Sequence, residues 1–187
     1  MDVTSVKVVV TGPFAAGKTT LIGTLSEIPL VSTEKPVTDE TRATKEMTTV
    51  SMDFGKITFG GGDAAVALYL FGTPGQERFD FMWEVLARGM LGFVVMVDVT
   101  REECIDEGRS IIEYFRRLST VPFVIGANKG VDHPDRLKDL RMRLGIGDTG
   151  VVIPCEAVNR DSAKEVLLAL LYEVLNALDD EPAAAAR

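Results

Sequence analysis

The chain has 187 residues, a formal net charge of −8, 46% hydrophobic and 26% charged residues, a composition expected of a soluble globular protein. At this length about 70% of the surface of the unfolded chain can be buried, enough for one self-sufficient core. The acidic balance argues against nucleic acid or an anionic membrane surface as the main partner, and no apolar run approaches the ~20 residues of a membrane span.

The first five residues carry neither a basic region nor a following apolar segment, so no secretory signal is expected. Residues 6–10 form a valine-rich run that reads as a buried strand ending at Gly12. Residues 18–26 read as a helix. Residues 31–49 differ in kind, with six threonines and seven charged residues. A connection of that length without periodicity is usually functional or mobile.

Residues 50–59 and 64–71 read as a hairpin around Gly60, Gly61, Gly62 and Asp63, since glycine supplies the positive φ a tight turn needs. A helix is expected over 79–90, an apolar strand over 91–99 and a helix over 102–118. A strand over 121–127, a charged helix over 133–144 and a short strand over 151–154 follow. The last helix starts near Asp161 and Ser162, good N-cap types, and its stripe of Val166, Leu167, Leu170, Leu171, Val174, Leu175 and Leu178 is expected to be buried. Strands that are apolar throughout, alternating with helices, imply a mostly parallel sheet covered on both faces. One domain over 1–180 and a flexible tail over 181–187 are expected. The tail has no terminal cysteine for prenylation, so the expected location is cytoplasmic, with any membrane recruitment coming through a protein partner. Cys104 and Cys155 are expected to be reduced, buried thiols.

The strongest motif is GPFAAGKT, residues 12–19, which matches G-x-x-x-x-G-K-[ST] between a predicted strand and a predicted helix. Its glycines let backbone N–H groups curl around a β-phosphate, Lys18 reaches the β- and γ-phosphates, and the Thr19 hydroxyl ligates Mg²⁺. The helix N-terminus that follows adds its positive end. Gly12, Phe14, Ala15, Ala16, Gly17, Lys18, Thr19 and Thr20 are therefore candidate nucleoside-triphosphate contacts.

With that loop in place, the chain resembles the Ras-like small GTPases over nearly its whole length. The Rab-type switch I reads T-I-G-V-D-F, against TVSMDF at 49–54. The Rab-type switch II reads W-D-T-A-G-Q-E-R-F, against FGTPGQERF at 71–79. The resemblance implies an α/β P-loop Ras-like G domain with a six-stranded, mostly parallel sheet, one antiparallel edge hairpin strand and helices on both faces. It implies Thr49, or alternatively Thr48, as the switch I ligand of Mg²⁺ and the γ-phosphate. Gly75 would offer its N–H to that phosphate, and Gln76 would orient the attacking water.

Gly72 stands where the family has an aspartate that holds a magnesium-bound water. Together with Pro74 it makes the chain resemble bacterial branches, the gliding and polarity GTPases and above all the actinobacterial conservon GTPases. Relatives of that kind act with small roadblock-type regulatory proteins. Asp53 is either a supporting carboxylate for the metal or a solvated strand residue.

The guanine motif N-K-x-D of the family appears as Asn128, Lys129, Gly130, Val131 and Asp132, one residue late. Either Gly130 permits a bulge that returns Asp132 to the base or specificity is relaxed; Asp132 could also cap the helix that follows. A literal S-A-K at 162–164 is expected to be capping and surface. Cys155, Glu156 and Ala157 are better placed as the last base loop, with the Ala157 N–H on guanine O6. Arg42 in switch I, or Arg78, is a candidate internal arginine finger beside Gln76 and Lys18. Phe79, Phe81, Met82 and Trp83 are part core and part candidate partner patch.

The reading is a GTP-binding, GTP-hydrolysing switch that cycles between GTP and GDP with Mg²⁺, ordering residues 31–49 and 72–81 for protein regulators and effectors. The alternative is a pseudo-GTPase that holds nucleotide without turnover. A small-molecule kinase is disfavoured, since neither a basic lid nor an acceptor site is evident.

Overall fold

Apolar strands that have lost one polar face must be covered from both sides, and that demand organises the chain. The computed structural model describes residues 4–32, 52–61, 65–75, 81–130, 134–147 and 150–180. The elements are β1 Thr4–Thr11, α1 Lys18–Leu25, β2 Val31–Ser32, β3 Asp53–Phe59, β4 Val66–Gly72, α2 Phe81–Ala87, β5 Gly92–Asp98, α3 Glu102–Leu118, β6 Phe123–Asn128, α4 Pro134–Arg143, β7 Val151–Cys155 and α5 Arg160–Asp180. The sheet order is β2-β3-β4-β1-β5-β6-β7.

β1 lies parallel to β4 and β5, and β6 lies parallel to β5 and β7. β3 runs antiparallel to β4. The six expected strands are all present, and the two-residue β2 pairs antiparallel on the far side of β3. With its helices, this is the α/β, Ras-like P-loop fold. No helix among the described residues is long and apolar enough to cross a membrane.

The most buried strands are β5 and β6, with the second half of β1 equally enclosed. Val8, Val9, Val10 and Phe93 to Val97 are all 0% exposed. Phe93 stacks on Phe123 and meets Phe115 at a tilt, with ring centroids 5.1 and 5.2 Å apart, and Trp83 closes the cluster against Phe115 and Tyr114. The single tryptophan of the predicted 79–83 cluster is therefore core, whereas Phe81 is 55% exposed. Cys104 and Cys155 are free and buried.

α5 departs from expectation in two ways. It starts at Arg160, and Asn159 is its cap: the Asn159 Oδ1 accepts from the N–H groups of Asp161 and Ser162 at 3.0 and 3.1 Å. Its buried stripe is also narrower than predicted. Ala163, Val166, Leu167, Leu170 and Val174 face the sheet, but Leu175 and Leu178 are 59% and 60% exposed and Leu171 is half-buried. Leu171 and Leu175 each follow a buried residue by one position, which turns them about 100° off the packed line. Leu178 keeps the register but sits in the last turn.

Leu167→Ala is expected to cost about 2–5 kcal/mol in urea unfolding, while Leu175→Ala stays within about 0.5 kcal/mol. Equal losses would restore the wider stripe.

Candidate functional site

The turn from β1 into α1 is built around three left-handed residues, Gly12 at φ 137°, Ala15 at φ 60° and Gly17 at φ 105°. A Cβ at Gly12 would collide with the Met96 carbonyl of β5, and one at Gly17 with the Asn128 amide. Both glycines are thus demanded by close backbone approach as well as by φ. Ala15 holds a conformation that costs a non-glycine residue energy, and such positions cluster at ligand clamps. Inside the turn, Lys18 is 7% exposed and its Nζ donates to the carbonyls of Gly12 at 2.7 Å and Pro13 at 2.6 Å. The loop is therefore a closed cradle with its cation folded inside. Phe14, Thr19 and Thr20 are on its exposed side.

Gly75 is seated on this cradle. A Cβ there would lie 2.8 Å from Lys18 Nζ and Phe14 Cα and 2.9 Å from the Phe14 nitrogen. Its approach is held from both sides. The Thr73 N–H donates to the Val10 carbonyl at 2.9 Å, Thr73 Oγ1 donates to Thr11 Oγ1 at 2.9 Å, and the Trp83 indole N–H donates to the Pro74 carbonyl at 3.2 Å. The structure thus places Gly75 against Lys18 and Phe14. Gln76, Arg78 and Phe79 lie outside the described residues, as do Arg42, Thr48 and Thr49, and Asp132 and His133.

Asp53 is not a solvated strand residue. It is 5% exposed, pairs in register with Gly72, and its Oδ2 accepts from the Thr19 hydroxyl at 2.5 Å. Its Oδ1 is buried and has no partner among the described residues. The Thr19 hydroxyl and the Asp53 carboxylate, one of whose oxygens is buried and unpaired, are hard-oxygen groups of the kind that suit Mg²⁺. No group of three or more His, Cys, Asp or Glu side chains that could hold a metal occurs among the described residues.

The expected base loops meet at Asn128. Its Nδ2 donates to the Ala16 carbonyl at 3.1 Å, and its Oδ1 accepts from the Ala157 N–H at 3.2 Å. The Ala157 N–H, expected to face guanine O6, is in this structure committed to that brace. Lys129 at φ 62° and Gly130 at φ 93° are consecutive left-handed residues, so the chain swings sharply just before Val131. Lys129 Nζ reaches Asp98 Oδ2 at 2.7 Å. Ala163 is not the surface position expected, whereas Ser162 is half-exposed. The Ser162 Oγ accepts from the Glu156 N–H at 3.0 Å, fixing the Cys155–Ala157 loop, and Ala163 is fully buried. Burial pushes the Cys155 thiol up to about 11, which suits packing and not nucleophilic chemistry.

Two participants were not foreseen. Asp98 closes β5 at 1% exposure; a lone carboxylate ending an apolar strand was the available signal. Burial works to raise its carboxyl, but hydrogen bonds from Lys129 and Thr100 outweigh that and hold it below the usual range. Arg101 reaches the Phe14 carbonyl at 3.3 Å while paired to Glu103, and nothing in the sequence pattern marks it.

A family described as conserved hypothetical ATP binding protein matches residues 30–142, a span that begins after the phosphate loop and includes Asn128. Among curated proteins, Ras-related protein Rab-3 of Caenorhabditis elegans is 37% identical over 65 residues, 35% of this chain and 30% of the relative. Human Ras-related protein Rab-3A is 37% identical over 57 residues, 30% and 26% of the two chains. Bovine Ras-related protein Rab-3B is 35% identical over 65 residues, 35% and 30%. The chain spans 30% or less of the length of these curated relatives.

Asp98 generates a pH prediction. Its carboxyl is held lower in the folded chain than its ordinary 3.8, so its contribution to stability is complete above that value and is lost as pH falls through the folded one. Urea unfolding between pH 7 and pH 3 is expected to show wild type losing stability relative to Asp98→Asn as the solution is acidified below about pH 4. Parallel curves would remove Asp98 from the balance.

Proposed function

We propose that this chain, which belongs to the conserved hypothetical ATP binding protein family, is a Ras-like switch that binds and slowly hydrolyses GTP. The observation that carries this reading is the seating of Gly75 against Phe14 and Lys18, which joins a phosphate cradle to the start of a switch segment. Lys18 exchanges its loop carbonyls for β- and γ-phosphate oxygens. The backbone N–H groups of the loop and the N-terminus of α1 hold the remaining charge. Thr19 and Thr49 would hold Mg²⁺, which would supply neutralisation of the phosphate charge.

Gln76 orients a water whose oxygen attacks the γ-phosphorus. The bond to the β-phosphate bridging oxygen breaks, leaving GDP and inorganic phosphate. Arg42 is the candidate for stabilising that charge in cis. Residues 31–49 and 72–81 order around the triphosphate and are read by protein effectors and regulators, roadblock-type proteins among them, as in the bacterial branches the motifs resemble. A single G domain over 1–180 performs this in the cytoplasm.

For the base, the exposed stem of Lys129 supplies a shelf. The two left-handed residues Lys129 and Gly130 are the backbone device that would return Asp132 to guanine despite its late position. The description of the family favours a second reading, an adenine nucleotide, and Val131 in place of the expected aspartate agrees with it. A third, nucleotide holding without turnover, follows from Gly72.

Nucleotide released by denaturing the purified protein separates the first two, with GDP expected and ADP overturning the guanine assignment. Gln76→Leu is expected to lower GTP turnover about 100-fold. Equal inertness of wild type and variant, with a stimulating partner present, would establish the pseudo-GTPase instead.

A further inference from the structure

We infer that Asp53 is the carboxylate that supports a divalent cation bound through the Thr19 hydroxyl. The inference rests on the nucleotide-binding reading above and adds a residue to it.

Strand alternation fixes the placement. Asp53, Gly55 and Ile57 share one face of β3, and that face lies under α1: a Cβ on Gly55 would press on Ile22 and Ser26. Asp53 is the end of that row nearest the first turn of α1, where Thr19 sits. The Thr19 hydroxyl has one proton and spends it on Asp53 Oδ2, 2.5 Å away. Its oxygen is left only with lone pairs to offer, the state required of a metal ligand. Hydrogen bonding of this kind orients a ligand and raises its basicity. Thr19 itself is exposed whereas Asp53 is 5% exposed, so the carboxylate stands behind the hydroxyl and acts as a positioning residue.

Asp53 also carries a cost that calls for a cation. Its Oδ1 is buried without a partner among the described residues, and a buried carboxylate in that condition is unfavourable unless compensated. A cation on Thr19 compensates it at short range.

The register accounts for Gly72. Asp53 and Gly72 are direct partners, and a Cβ on Gly72 would lie 2.9 Å from both Asp53 Cβ and Ile22 Cδ1. A side chain on β4 at this rung would have to displace Asp53 or the tip of Ile22, so Gly72 leaves the room that the Asp53 carboxylate occupies here.

The test uses the full chain loaded with a fluorescent GDP analogue, with release followed in EDTA and across a Mg²⁺ titration. Wild type, Asp53→Asn and the double variant Asp53→Gly/Gly72→Asp are compared. Release in EDTA is expected to agree among the three, because the metal is absent from all. The Mg²⁺ concentration that half-restores retention is expected to rise about 10- to 100-fold in Asp53→Asn and to recover in the double variant, which moves the carboxylate across one rung. Asp53→Ser serves the same comparison if the asparagine variant does not fold. Asp53→Asn tracking the wild-type Mg²⁺ curve, or a folded double variant without recovery, overturns the inference while leaving nucleotide binding intact. A wild type that retains no nucleotide at any Mg²⁺ concentration removes the nucleotide reading and this inference together.

Discussion

One buried side chain, Asn128, decides whether the site exists as a single object. It stands at the end of β6 with 4% of its surface exposed, and its amide spans the Ala16 carbonyl and the Ala157 N–H. Three segments far apart in sequence, the phosphate loop, the end of β6 and the loop into α5, are tied by that one planar group. Gly17 must lack a side chain because the Asn128 amide occupies the space. The left-handed turn that opens α1 is thus set by a residue more than a hundred positions later. Replacing such a group leaves two buried backbone groups unpaired, a cost of about 1–3 kcal/mol each.

Much of this was legible beforehand because local chemistry leaves no choice. GPFAAGKT announces its fold since glycine, lysine and a hydroxyl at that spacing serve one geometry. α3 matched its expected span, residues 102–118, because Glu102 and Glu103 open it and Arg116 and Arg117 close it in agreement with the helix dipole. What stayed hidden depends on pairing across the chain. Nothing in the sequence states that Asp53 stands opposite Gly72, since a strand register is a long-range fact. The width of the α5 stripe was overread for the same reason: the period marks a direction and leaves open how far the sheet extends beneath it. Ser162 looked like a surface cap until the Glu156 N–H was found on its hydroxyl.

The site is also asymmetric in what supports it. The phosphate side rests on backbone, with glycines and carbonyls fixed by β1 and β5. The base side rests on side chains, Asn128, Lys129 with Asp98, and Ser162. On the proposed reading, the backbone cradle would recognise charge and the side-chain half would tell one base from another, so the one-residue delay of Asp132 in the sequence would bear on selectivity and not on phosphate binding.

The position of Trp83 has an optical consequence. It is the only tryptophan in the chain, and its indole N–H is bonded to the Pro74 carbonyl, two residues before Gln76. Indole emission responds to the polarity and hydrogen bonding of its surroundings, so any rearrangement that lifts Pro74 and Gly75 from the cradle also changes the light the protein emits. The chain thus carries an intrinsic fluorophore at the hinge of its candidate switch, readable without a label.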